Sequence, residues 1–80
     1  MARYFFDIHN KKFSSRDERG HECADRDAVS EHALRLLLDV ARDRPLEHMH
    51  SHLGSTVRDE GGYVVLTATA SLSTTWVNGA

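Results

Sequence analysis

The sequence predicts an α+β domain: a two-layer sandwich in which an antiparallel four-stranded sheet, in ββαββ order, carries one long helix packed on one face. Three observations predict it. Asp25 to Arg42 repeats its apolar residues at helical spacing. Tyr4 to His9 is rich in aromatic and β-branched residues and runs into a polar turn. Leu53 to Arg58 and Tyr63 to Ala70 form two further stretches on either side of Asp59-Glu60-Gly61-Gly62, a turn whose glycines permit the positive φ of a tight hairpin.

A chain of 80 residues holds one core. At this size only about 60% of the unfolded surface is buried, and small domains commonly add a disulfide, a metal or an oligomer interface. Cys23 is the single cysteine, so an internal disulfide is excluded and a reducing, cytoplasmic setting is the expectation. The opening apolar run meets Asp7 and His9 too early for a signal peptide, and no stretch reaches the length of a membrane span. A net charge of −2 with both signs interspersed builds no basic face, which argues against nucleic acid as a partner.

In the first strand, a period of two sets Tyr4, Phe6 and Ile8 on one face and Arg3, Phe5, Asp7 and His9 on the other. Asn10-Lys11-Lys12 is a turn, Phe13-Ser14-Ser15 a short second arm, and Arg16 to Gly20 a charged loop, with His21-Glu22-Cys23 available to extend that arm. Asp25 is the candidate N-cap, and Pro45 ends the helix. The helical apolar residues Val29, Ala33, Leu34, Leu36, Leu37, Leu38, Val40 and Ala41 spread over an arc of roughly 200°, wider than one sheet face covers. Leu46 to His52 is a polar, histidine-rich connection. In the last strand Val64, Leu66, Ala68 and Ala70 read as core, which leaves Tyr63 and Val65 on the other face. Residues 1–70 therefore make the domain, and 71–80 a C-terminal tail that is flexible or docks through Trp76.

The opening R-Y-F-F-D, the helix pattern D-x-x-A-x-x-x-x-A-L and the turn V-R-D-E-G-G carry a likeness. On these residues the chain resembles a family of small bacterial proteins of unassigned function. The likeness runs from about Arg3 to Leu66, and Arg3, Tyr4, Phe6, Asp7, Asp59, Glu60 and Gly62 are its most specific parts. It implies no activity, cofactor or catalytic residue. The histidine-rich connection and the tail fall outside the pattern. A hairpin ahead of this type of helix is also similar, in element order alone, to the antitoxin halves of toxin–antitoxin pairs with a partial RNase-H-like fold. That likeness implies, as an alternative, an antitoxin-like partner of a small basic protein.

The residues themselves offer three places for chemistry. His48, His50 and His52 alternate beside Glu47, so an extended backbone would set three imidazoles on one side. A transition ion such as Zn²⁺ or Ni²⁺ suits such donors, provided they converge at about 2.0 to 2.1 Å. A small metal-binding protein is thus a second alternative. His21 and Cys23 are a base and thiol without a third orienting group, and Asp17-Glu18 and Asp59-Glu60 are paired carboxylates in turns. None of these makes a catalytic constellation, and an enzyme is not expected. The apolar surplus points instead to an interface at Phe5, Tyr63, Val65, Leu34, Leu38 and Trp76. The expected function is a non-catalytic protein-interaction module, homodimeric because closed two-fold assemblies are the commonest.

Overall fold

The structure, a computed structural model, describes residues 1–78. In chain order it contains strands β1 (Ala2–His9), β2 (Ser14–Ser15) and β3 (His21–Cys23), helix α1 (Arg26–Asp43), a short 3₁₀ turn (Pro45–His48), and strands β4 (His52–Arg58) and β5 (Val64–Ser71). The strands pair antiparallel in the order β2-β1-β4-β5, with β3 also on β1.

The sheet has five strands, not the expected four. The segment ahead of the helix meets the outer edge of β1 twice, β2 against Ile8 and His9 and β3 against Ala2 to Tyr4. Between these contacts the chain leaves the edge, and the Phe6 N–H has no strand to donate to. Asp17 fills the gap, its Oδ2 accepting that N–H at 3.0 Å. Left unmet, a buried amide costs about 1–3 kcal/mol. One side chain thus splits the expected second arm into two strands.

Helix α1 starts where the sequence predicts. Asp25 Oδ1 accepts the Ala28 N–H at 2.8 Å, and Asp27 and Arg42 complement the helix dipole at its two ends. Val29, Ala33, Leu37 and Ala41 recur at every fourth position and are buried. Against them lie the inward residues of the sheet: Phe6 and Val57 with Cys23 in one cluster, Ile8 and Leu53 in a second. The inward face of β4 also includes Ser55, which is 1% exposed and whose hydroxyl has no partner among the described residues.

The β4–β5 hairpin closes through Asp59. Its N–H donates to the Tyr63 carbonyl at 2.9 Å, its Oδ1 accepts from the amides of Gly61 and Tyr63, and Gly62 takes a φ of 86°. Next to the turn, β5 departs from simple alternation. Arg58 pairs with Val64 and Val57 with Leu66, so Val65 is a bulge without an opposite residue. Alternation alone predicts Val64 in the core and Val65 on the far face. Instead Val64 is 58% exposed, and Val65 joins Leu66 in lining a cleft against Tyr4, Val29 and Ser30. Beyond the bulge, Leu66, Ala68 and Ala70 pack toward the helix as predicted.

After β5, Leu72 packs on the second cluster and bridges to Met49. Trp76 and Val77 are 80% and 68% exposed, so the tryptophan does not cover the helix. The radius of gyration is 14.5 Å. A compact chain of 80 residues would have about 12 Å, so the fold is more extended than a closed globule of this length. Of the tail 71–80, residues 79 and 80 lie outside the described residues.

Candidate interaction surface

The helix carries its apolar surplus on one side. His32 touches Phe6 of β1 and His21 of β3 and so marks the flank facing those strands. Ser30 lines the cleft with Val65 and Leu66 of β5, marking the opposite flank. Leu34 and Leu38 follow Ser30 at i+4 and i+8 and continue its ridge above β5. They are 49% and 60% exposed, and Val65, in the cleft beside Ser30, is 47% exposed. Three of the six residues expected at an interface, Leu34, Leu38 and Val65, therefore lie on the β5 flank. The cleft at the end of this ridge has a volume of about 360 Å³, with Tyr4, Arg26, Ser30 and Asp59 around an apolar floor of Val29, Val65 and Leu66.

The other three residues are elsewhere. Tyr63 is 74% exposed beside the hairpin turn and Trp76 stands in the tail. Phe5 lies on the face of the sheet away from the helix, where the Arg58 guanidinium covers its ring at 5.2 Å from the centroid. That arginine is the centre of a network that sequence reasoning missed. Arg58 Nε donates to Asp7 Oδ2 at 2.7 Å, and its Nη2 donates both to Asp7 Oδ1 at 3.0 Å and to the Asp17 carbonyl at 2.9 Å. The Asp17 N–H in turn donates to Asp7 Oδ1 at 2.9 Å.

The charges in this network are fixed by their neighbours. The hydrogen bond from Arg58 holds the Asp7 carboxyl below its ordinary range, against the opposing effect of burial and with help from the Asp17 amide. Burial pushes Asp17 up, but the amides of Phe6, Gly20 and Arg19 outweigh it and leave its pKa lowered. The sequence predicts Asp17 as a solvated turn carboxylate; it is instead a half-buried hub of the loop. The loop closes on Gly20, where φ is 76° and an added Cβ would sit 2.8 Å from Arg3 Cγ.

The three histidines expected as metal ligands are separated by their environments. His48 is buried at 5% exposure, with Nδ1 at 3.4 Å from Asn10 Nδ2. His50 is exposed and takes a left-handed φ of 58°, while His52 opens β4 with Nδ1 at 3.2 Å from Ser71 Oγ. The left-handed residue breaks the extended run that would have aligned them. Among the described residues, no three His, Cys, Asp or Glu side chains are grouped to hold a metal.

His21 and Cys23 have separate surroundings. The Cys23 side chain is buried in the core cluster, and burial, with the Asp25 charge, raises its pKa and disfavours the thiolate. The His21 ring stacks on His32 at 3.9 Å between centroids and 4° between planes, and Phe6 meets His32 edge-on at 4.6 Å. Desolvation and the neighbouring His21 lower the His32 pKa.

Among the described residues, no helix is long and apolar enough to cross a membrane. The family described as Domain of unknown function (DUF6894) matches residues 3–71, a span that includes the histidine-rich connection. No curated protein and no solved structure matches the chain.

Proposed function

We propose that the chain, which belongs to the family Domain of unknown function (DUF6894), is a non-catalytic protein-interaction module that works as a homodimer. The observation that carries this reading is that Leu34, Leu38 and Val65, all on the β5 flank, are each exposed. Three large aliphatic side chains on one flank of a thin core are a surface that gains from being covered, at about 25 cal/mol for each Å² removed from water. A second copy is the simplest cover, because a two-fold axis lets one patch meet itself.

Further support comes from what the reactive groups are doing. Asp7, Arg58 and Asp17 hold β1, β4 and the loop together, and the Cys23 thiol fills core space. The groups most able to carry acid–base or nucleophilic work are committed to the fold.

Sedimentation equilibrium of the untagged chain tests the reading, with Leu34→Glu/Leu38→Glu as the comparison. The reading expects a two-copy mass for the native chain and one copy for the variant. A native chain of single-copy mass at high micromolar concentration contradicts it.

A further inference from the structure

The open edge of β5 resolves how such a dimer is built. β5 is the last strand in the order β2-β1-β4-β5, and it runs for eight residues, Val64 to Ser71. Its sequence, V-V-L-T-A-T-A-S, has no charge and no proline. Natural sheets blunt a free edge with lysine, proline, shortness or a covering element, because the unpaired N–H and C=O groups template another strand. On β5 the bulge at Val65 disrupts one end, and the remainder is unguarded.

The groups at that edge follow from the register. Asp59 N–H donates across the hairpin to the Tyr63 carbonyl. Counting back along β4 by twos, Val57, Ser55 and Leu53 also direct their amides to β5, and their partners Leu66, Ala68 and Ala70 face β4 in return. Thr67 and Thr69 therefore aim their backbone N–H and C=O outward. Their side chains, which are exposed, lie on the sheet face away from the helix.

We propose that the outward edge of β5 pairs antiparallel with β5 of a second copy, joining two sheets into one continuous sheet of twice the width. This deepens the homodimer reading and rests on it. The partner is a second copy because the edge suits itself. Under a two-fold axis near Ala68, Thr67 of one copy lies beside Thr69 of the other, a β-branched, hydrogen-bonding pair, and no like charges meet. The axis is perpendicular to the sheet, so both helices stay on the same face. Neighbouring strands are about 4.8 Å apart. The helix touches β4 and β5 more than β1, so it sits about one strand spacing from the axis. The two helices are then about 10 Å apart, the separation of packed helices. Leu34 and Leu38 of both copies fill the space between them.

The test uses oppositely charged edges, read by native mass spectrometry. Thr67→Lys/Thr69→Lys and Thr67→Glu/Thr69→Glu each place like charges opposite one another in the register centred on Ala68, on a face where the side chains are exposed. Each variant alone is expected as a single copy, with homodimer affinity down by about 100-fold or more, and the equimolar mixture as a mixed pair. A second variant, Thr69→Pro, removes an outward amide without adding charge and is expected to be a single copy with the circular dichroism of the native chain. Pairing of either charged variant with itself, failure of the mixture to pair, or a two-copy Thr69→Pro overturns the β5 assignment. If those results come with a native chain that is still two copies, the homodimer reading survives on another surface. A native chain of one copy removes both.

Discussion

Arg58 and Asp7 grip each other across the β1–β4 pair through two hydrogen bonds, at 2.7 and 3.0 Å, with side chains only 13% and 19% exposed. Exposed pairs such as Arg35–Glu31 contribute little, because solvent screens them. The Asp7 pair is different, since removing one partner strands the other charge in a half-dry site. Asp7→Asn is expected to lower the melting temperature by several degrees, and Glu31→Gln to leave it nearly unchanged. Differential scanning calorimetry of the two variants checks the contrast.

The same network sets the acid limb of stability. Asp7 and Asp17 both have folded pKa values lowered from 3.8. A carboxylate depressed in the fold contributes stability that is fully present above its unfolded pKa and is lost as pH falls through the folded one. Urea midpoints are therefore expected to fall as pH drops below 3.8, and to fall less steeply in Asp7→Asn.

Histidine 32 gives a second, milder slope. Its pKa is lowered from 6.5, first by desolvation against Phe6 and then by His21, with Arg35 adding and Asp17 opposing. The unfolded chain binds this proton more readily than the fold does, so stability is complete above 6.5 and declines on acidification below it. His32→Phe keeps an aromatic ring in the stack and removes the proton. Its urea midpoint is expected to lose the His32 share of the decline between about pH 7 and 5.

Gly20 is a position where backbone conformation and space agree. With φ at 76°, a Cβ added there would lie 3.0 Å from both Phe5 Cε1 and the Tyr4 carbonyl oxygen, so Gly20→Ala is expected to cost about 1–2 kcal/mol. Gly62→Ala shares the strained φ but has nothing within 4 Å, so chemical denaturation should show the smaller loss there.

Ser55 runs the other way. Its buried hydroxyl has no partner among the described residues, so Ser55→Ala removes an unmet polar group at little packing cost. The expected change is neutral to about 1 kcal/mol stabilising, read from equilibrium unfolding.

The sequence carried the features whose causes are local. Asp25 as N-cap, the fourfold spacing of Val29 to Ala41, the turn at Asp59 and the inward set Phe6 and Ile8 all follow from neighbours a few residues away. What it hid depends on residues far apart in the chain. Arg58 lies in the turn pattern V-R-D-E-G-G and looks solvated until β4 sets it beside Asp7, 51 positions earlier. Asp17 looks like a loop carboxylate until the Phe6 amide needs it. Period two cannot foresee the bulge at Val65, which moves that side chain from the far face to the flank carrying Leu34 and Leu38. The histidine segment is not the extended run that alternation suggests, because His50 takes a left-handed φ.

Pairing through β5 makes the amides of Thr67 and Thr69 the most direct witnesses. In a single copy they face solvent, and in the pair they donate across the axis. Residue-resolved hydrogen exchange should show their protection rising with protein concentration, while Ala68, already bonded to β4, does not change. Exchange at Thr67 and Thr69 that stays fast at every concentration, in a chain whose mass is twice its 9.0 kDa, would contradict the β5 interface.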